Sequence, residues 1–453
     1  MRAKEEAFRI LEAALSMASQ GVDEAEVALG GGELGTTRYT HQGITVASEH
    51  SAETVSIRVA KGGTIVRYAT SDLSHDGLRE ACESAKAQVA PFGADGSPGF
   101  TFPEPHHYAE IDAYDPETEA IRGLERAAMA ARGILAAKEH GLHARGQVLL
   151  TRGGMGFDGE QRLYAVANTR GLLAYHPETR IHCGVELSRP GGGTGAAAGE
   201  SFSAEQLDPD RLVSEALQRA SRPGTVQSLA AGRYVAVLEP PAVGALLRFI
   251  GLTCGAGLAE QGASFLSNGI GSRVAHQSVN IRDDFSHELH RGLPFDIEGV
   301  ACQTVDLIRQ GVAYGPVYTW ENARRSSVRA TGHHQANPII GEYEGARYLV
   351  MDGDDSRSVE DLVEHVGQGV LVPDLSEVRL ADSRTVRVMG VTRGLWRIEQ
   401  GDIGPPAEPM RFDVEVLELL QAVTAASRSR LAQGSVVPGL AVDGFPLRPT
   451  SDF

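Results

Sequence analysis

Between Gly232 and Arg273 one run of residues leaves this chain little freedom in what it can become. Tyr234 to Leu238 is a short apolar stretch with the composition of a strand. Pro240 and Pro241 end it, and Pro is tolerated in the first turn of a helix, where a missing N–H costs nothing. From Ala242 the apolar positions Val243, Leu246, Leu247 and Ile250 recur at steps of three and four. That spacing predicts a mostly buried helix directly after the strand. Gly251, Gly255 and Gly257 then weaken or kink it.

The residues before this stretch read as helix, strands, then helix. Phe8, Leu11, Leu15 and Ala18 predict an amphipathic helix from about Lys4 to Gln20, stopped by Gly21. Glu24 to Leu29 alternates like a strand, Gly30 to Gly32 break the chain, and Thr36 to Ser48 follows. Val55, Ile57 and Val59 alternate with polar residues, and Gly62-Gly63 turns into Ile65 to Ala69, a hairpin pattern. Ser74 caps a helix reaching about Val89, with Leu78, Cys82 and Ala85 on one face. Residues 91–116, rich in Pro, Gly and aromatics, form a long connection of the kind that wraps a surface or serves function. A helix over Glu117–Glu139 precedes strands at Gln147–Thr151, Arg162–Asn168 and Ile181–Leu187. Asn168 and Gly171 supply hairpin-turn chemistry. Gly191 to Gly199 lacks the Lys-Ser/Thr ending of a phosphate loop and reads as a hairpin tip. A helix at Pro209–Ala220 and a linker at Ser221–Gly232 complete this half.

After the central stretch, strands are expected at Val274–Ile281, Val300–Ile308, Gly311–Trp320 and Arg347–Asp352. A helix spans Ser358–Val366, with Ser358 and Asp361 approximating a capping box. Val386–Val391 and Leu395–Glu399 pair around Arg393-Gly394. The fold class is therefore α+β. A two-layer N-terminal domain (1–225, with connector 91–116) precedes a β-rich C-terminal domain (226–453) that carries the central buried helix. With 453 residues, the chain exceeds one compact core, so about two or three domains are expected.

Charge and cysteine narrow the function. A net charge of −17 argues against nucleic-acid phosphate or an anionic membrane as the main partner. No apolar run approaches the ~20 residues that span a bilayer, and the N-terminus has no signal-peptide pattern. Cys82, Cys183, Cys254 and Cys302 are isolated, with neither a disulfide framework nor a Cys-x-x-Cys spacing. A cytoplasmic, reduced setting is expected.

Several segments, in order, resemble the TldD/PmbA family: Val55–Gly63 and Ala69–Ala81 early on, then Leu238–Leu247 and Ser264–Val274. The likeness runs from about residue 5 to 445. TldD-type subunits of that family carry His-Glu-x-x-x-His on the central helix, two His binding a metal and the Glu acting as base. Placed in that frame, Arg248-Phe249-Ile250-Gly251-Leu252-Thr253 has neither His nor Glu. The tail Gly434–Gly444 also lacks the Cys of the family's Gly-Cys-Gly-like turn. The resemblance is thus to the PmbA (TldE) branch, which lacks the metal motif. It implies no metal or catalytic residue in this chain, and a metal, zinc, on a TldD-like partner bearing His-Glu-x-x-x-His. The two subunits would form a heterodimer around a tunnel for unfolded peptides or peptide-like precursors, with hydrolysis on the partner. The family's peptide maturation, and natural-product biosynthesis among relatives, define the substrate class.

Pro294-Phe295-Asp296-Ile297-Glu298-Gly299 resembles the family's Pro-Phe-Asp-Asp-Glu-Gly segment near the tunnel, with Asp296 and Glu298 a candidate acid–base pair. Ala330 to Pro338 resembles a Ser-Thr-Gly-Asn-Ala-Gly region, with His333 and His334 where small and amide residues are usual. The candidate substrate-contacting residues are Arg248, Phe249, Thr253, Asp296, Glu298, Thr331, His333, His334 and Asn337. His287 and His290, in a loop over Asp283–Gly292, offer with His333 and His334 an alternative: an autonomous hydrolase of a small amide-containing metabolite. No Gly-x-Ser-x-Gly elbow accompanies them.

Overall fold

The computed structural model describes residues 2–91, 100–267, 269–337 and 341–450. Residues 92–99 of the expected connector, and the side chain of Asn337, lie outside the described residues. The N-terminal half is one eight-stranded sheet. Its main path runs Thr64–Thr70, Gly43–Lys61, Glu24–Thr40, His143–Gly154, Thr179–Ser188, Thr194–Ser201, every neighbour antiparallel. Leu163–Asn168 pairs with the first part of Glu24–Thr40 and carries Leu173–Tyr175 beside it.

Alternation decides the faces of this sheet. Val27, Leu29, Val55, Ile57 and Val59 pack with Leu11, Leu78 and Cys82 of the helices Lys4–Ala18 and His75–Val89. Val148, Leu150 and Ile181 pack with Ala130, Leu212 and Ala216 of Gly123–His140 and Pro209–Ala220. The intervening residues Glu26, Ala28 and Arg58 turn to the opposite face and meet the C-terminal half. The Ser74 hydroxyl accepts from Gly77 N–H at 3.1 Å, the cap expected there. Gly62 and Gly63, both at positive φ, make the expected tight turn.

Gly30–Gly32 do not break the chain. Glu24–Thr40 is one strand through them, and the reversal falls at His41-Gln42 instead. Gly31 and Gly32 (φ +100° and +154°) let the strand bend where it changes partners from Leu163–Asn168 to His143–Gly154. A Cβ on Gly32 would sit 1.9 Å from the Arg152 carbonyl oxygen, so no side chain fits. The helix expected over 117–139 is two, Pro116–Ala120 and Gly123–His140, because Ile121 is extended. The buried Arg152 guanidinium donates to the carbonyls that break exposes, Glu119 (2.8 Å) and Ile121 (2.5 Å).

The C-terminal half holds a nine-stranded and a six-stranded sheet around the central helix. Gly232–Leu238 lies inside the larger sheet, parallel to Gly369–Val372 and antiparallel to Leu440–Pro449. The helix Pro240–Thr253 follows at once, and Val243, Leu246, Leu247 and Ile250 are almost fully inaccessible. They share one core with Leu307, Leu349, Val388, Phe412 and Val437, so both sheets close on this helix. Burying each large aliphatic side chain is worth about 1.5–3 kcal/mol, which makes the helix the anchor of this half. The helix Val359–Val366 has the expected reciprocal Ser358/Asp361 capping box.

Several expected strands are shorter or differently paired. Of 274–281 only the last residue enters a strand, Ile281–Asp283. Ala275 and Val279 are buried in a loop whose N–H groups reach Gly311 and Leu420, so the alternation reported burial, not extension. Residues 300–304 also run as loop before Val305–Arg309. Val312–Ala313 is all the strand in 311–320, since Thr319 caps a helix, Trp320–Ser326. Arg347–Asp352 narrows to Leu349–Met351. Arg387–Arg393 and Trp396–Glu399 are not hairpin partners. The first pairs with Asp374–Asp382 and Met410–Glu415, the second with Gly369–Val372 and Asp402–Pro406. The turn at Gly394 hands the chain from one group of strands to another instead of folding it back. No helix among the described residues is long and apolar enough to cross a membrane.

Candidate functional site

Asp296 organises the loop that joins the two halves. Its Oδ1 accepts from the N–H groups of Glu298 (2.9 Å) and Val300 (3.0 Å), and its Oδ2 from the N–H of His334 (3.0 Å). One carboxylate therefore folds the 294–301 loop and pins the hairpin of His334–Asn337 with Gly341–Glu344 against it. Phe295 packs under Tyr108, whose hydroxyl donates to Gly299 C=O at 2.7 Å. The segment after residue 100 thus straps this loop, with Trp320 Nε1 donating to Thr101 C=O.

The loop aims Glu298 at the N-terminal sheet. Arg58 lies between two carboxylates, 2.8 Å from Glu26 and 3.2 Å from Glu298, and all three side chains are at most 7% exposed. Glu26 and Arg58 are directly opposite on paired strands. His334 Nδ1 is 3.0 Å from the other Glu298 oxygen, and its Nε2 is 3.4 Å from Glu342. Glu342 in turn pairs with Arg67 of the N-terminal sheet. A continuous chain of charges, Glu26–Arg58–Glu298–His334–Glu342–Arg67, therefore crosses between the halves.

Burial sets the protonation of this chain. It pushes Glu26 up to about 7 although Arg58 pulls the other way. Burial and the Glu298 charge raise Asp296. Burial also opposes the Glu298 charge, but His334 and Arg58 outweigh it and hold that carboxyl well below its ordinary range. Burial likewise disfavours the His334 cation, and Glu298 overcomes it, leaving His334 raised. The paired state is Glu298 ionised with His334 protonated.

His333 points the other way. Its Nε2 is 3.4 Å from Asp283 Oδ1 and its Nδ1 2.9 Å from Thr331 Oγ1. The second Asp283 oxygen accepts from the N–H groups of Arg347 and Tyr348. Those contacts and the His333 pair outweigh burial and lower its pKa. Thr331 Oγ1 accepts from Tyr318 N–H at 2.7 Å. The result is a hydroxyl–imidazole–carboxylate line, closed in by its own backbone contacts.

Of the sequence-derived candidates, Asp296, Glu298, Thr331, His333 and His334 are brought together. Arg248, Phe249 and Thr253 stand apart with partners of their own. Arg248 reaches Val378 C=O and lies over the Phe249 ring, Phe249 is buried, and Thr253 Oγ1 bonds back to Phe249 C=O. The strand backbone of Asn337 opposes Gly341. His290 is buried, its Nε2 3.0 Å from Leu349 C=O, and desolvation lowers it to about 4. His287 meets it ring edge to face, 6.2 Å between centroids, and its C=O accepts from His290 N–H at 2.8 Å. Glu26, Arg58, Asp283 and Glu342 were not singled out from sequence. The one available signal was the pair of opposite charges, Glu26 and Arg58, on strands whose other face is apolar.

The donor set does not fit a metal. Pro240–Thr253 contains no His, Cys, Asp or Glu. Among the described residues no group of three or more His, Cys, Asp or Glu is placed to hold an ion. Cys254, just past the helix, is buried, its thiol pushed up to about 12 by desolvation.

Residues 231–447 match the family described as PmbA/TldA metallopeptidase C-terminal domain. A "Metalloprotease PmbA homolog" of Haemophilus influenzae is 22% identical over 420 residues, 84% of each chain. Residues 231–447 thus carry the C-terminal domain of the PmbA/TldD family of metallopeptidase-like proteins, and the likeness to the PmbA homolog extends over most of the chain. The solved structure of TldE from Thermococcus kodakarensis shares the fold, with a TM-score of 0.84 at 19% identity over 97% of this chain and 100% of that one. A "Metalloprotease" of Methanothermobacter thermautotrophicus is 24% identical over 269 residues, and the match spans 57% of its length.

Proposed function

We propose that this chain is the non-metal-binding, TldE-like subunit of a two-chain metallopeptidase. Its partner is a TldD-like chain bearing His-Glu-x-x-x-His, which supplies metal, base and bond cleavage. This chain supplies wall, backbone and stability to a tunnel that admits extended, unfolded peptides or peptide-like precursors. The complex works in the cytoplasm, in maturation of peptides or natural products. The observation that carries this reading is the central helix. A metal hydrolase needs imidazoles one turn apart and a carboxylate to take the proton from metal-bound water. Pro240–Thr253 fills its inward positions with Ala, Val, Leu, Phe and Ile, so it packs and cannot ligate. Asp296, through backbone N–H groups, and Glu298, through its ion pairs with Arg58 and His334, serve to hold the wall loop against the N-terminal sheet.

A second reading has one observation in its favour, the Thr331–His333–Asp283 line at 2.9 and 3.4 Å. It makes the chain an autonomous hydrolase of a small amide-containing metabolite with Thr331 as nucleophile. The two readings separate in a native mass spectrum of this chain co-expressed with the TldD-like protein of its genome. A one-to-one complex carrying one metal, beside metal-free single chains, supports the subunit. A chain that ignores that partner and stays by itself, with or without metal, overturns it.

A further inference from the structure

Apart from the charged junction, the two halves enclose a second polar spot. A half-enclosed cavity of about 20 Å³ lies where the N-terminal sheet meets Leu293, Arg347 and Tyr348. Gly153 and Gly154 end the strand His143–Gly154, Arg162 leads into Leu163–Asn168, and His176 follows Leu173–Tyr175, so the ends of three strands form its other wall. A cavity holds a water once it offers roughly 10–15 Å³. This one admits an oxygen atom or two, and no ring or side chain.

Its polar groups are donors short of an acceptor. His176 is 4% exposed, and its Nε2 has no hydrogen-bond partner among the described residues. Burial lowers its pKa to about 4, so the ring is neutral and can place its one N–H at Nε2. Tyr348 Oη accepts from Leu293 N–H at 2.9 Å, and among the described residues its own O–H donates to nothing. The charges are uneven as well. Glu178, which also lines the cavity, is held by Arg180 at 3.0 Å, and Arg162 is held by Glu160 at 3.3 Å. Arg347 enters no ion pair among the described residues, and Glu178 and Glu160 act on it from farther off. Burial, and after it the charge on Arg347, lower Arg162. A cation without a carboxylate, beside two donors without acceptors, is the complement of an anion.

We infer that this cavity is a subsite for a carboxylate, brought by the free C-terminus of a peptide or by a small carboxylic acid. Arg347 neutralises the group, while His176 and Tyr348 donate to its oxygens. Size decides for a carboxylate over a phosphate, since two oxygens in one plane enter edge-on and match a guanidinium, whereas a tetrahedral group brings a third. The site is built from one chain, so the inference does not rest on the subunit reading and fails separately from it.

The first test is acetate titrated into the full chain, with chloride at matched ionic strength as the control. Acetate is expected to raise the melting temperature saturably. Arg347→Met breaks no ion pair and His176→Leu removes an unpartnered nitrogen, so each should leave the acetate-free chain as stable as the parent or more so. Each should weaken acetate binding about tenfold or more. A dye-labelled unstructured peptide, followed by fluorescence anisotropy, then identifies the source. A free acid that binds about tenfold or more tighter than its C-terminal amide, with the difference lost in Arg347→Met, assigns the site to a peptide terminus. Acid and amide binding alike, with acetate still stabilising, assigns it to a small carboxylic acid. Acetate no better than chloride, together with an amide that binds as well as the acid, leaves only water in the cavity and overturns the proposal. An acetate effect that both variants retain overturns it as well.

Discussion

Replacing Arg58 by Met removes the one cation between Glu26 and Glu298 while keeping most of the side-chain volume. Both carboxylates are almost completely buried, so neither can turn to water. Breaking a buried pair by deleting one partner typically costs about 3–5 kcal/mol, because a charge is left uncompensated. Glu26 tempers that cost. Already pushed up to about 7 by burial, and rising further without Arg58, it takes up a proton at modest expense in mildly acidic solution. Glu298 keeps His334. The loss is therefore expected near the lower end of the range at pH 6 and near the upper end at pH 8, where Glu26 resists protonation. Urea unfolding followed by circular dichroism at the two pH values reads both numbers. Adding Glu26→Gln and Glu298→Gln to Arg58→Met should recover most of the stability. An Arg58→Met chain within about 1 kcal/mol of the parent at pH 8, with no pH dependence, would mean that water already screens this cluster, and the argument for a buried junction would be wrong.

His334→Gln tests the sign of the neighbouring link. The folded His334 holds its proton more tightly than an unfolded imidazole, so its contribution is full below about pH 6.5 and is lost as pH rises through the raised value. The melting temperature of the parent should fall over that rise, and the Gln variant should show a shallower slope. A parallel pair of curves contradicts the assignment. Gly32→Ala should prevent accumulation of folded protein, since the added Cβ meets the Arg152 carbonyl at 1.9 Å and the residue sits at positive φ. Soluble expression and circular dichroism decide it, and a well-folded Ala variant contradicts the geometry. Ile250→Ala, at a fully buried position of the central helix, should cost about 2–5 kcal/mol by urea unfolding. A loss below about 1 kcal/mol would show that the helix is not the anchor of its half.

Local chemistry made much of the fold legible. Ser74, Ser358, Gly62-Gly63 and the Pro240-Pro241 step each determine structure through neighbours a few residues away, and each sits where its chemistry places it. Burial without extension misled the reading at 274–281, where Ala275 and Val279 are apolar because a loop is enclosed. Gly30–Gly32 misled it differently, since three glycines permit a bend and close approach as readily as a break. The charged junction was legible only in pieces. Asp296, Glu298, Thr331, His333 and His334 stood out through resemblance, but Arg58 lies 240 positions from Glu298, and nothing local in either segment announces the other. Asp283 and Glu342 were hidden for the same reason. The placement of Arg248, Phe249 and Thr253 with the candidate site came from aligning a motif to a helix, and the helix turns each of them to partners of its own.

The most direct test of the central claim is turnover of an unstructured peptide by this chain alone, by the TldD-like chain alone, and by the two combined, each supplied with zinc. The account predicts no turnover by this chain at any metal concentration and full activity only in the combination. Hydrolysis by this chain in isolation, abolished by His333→Ala, would contradict it.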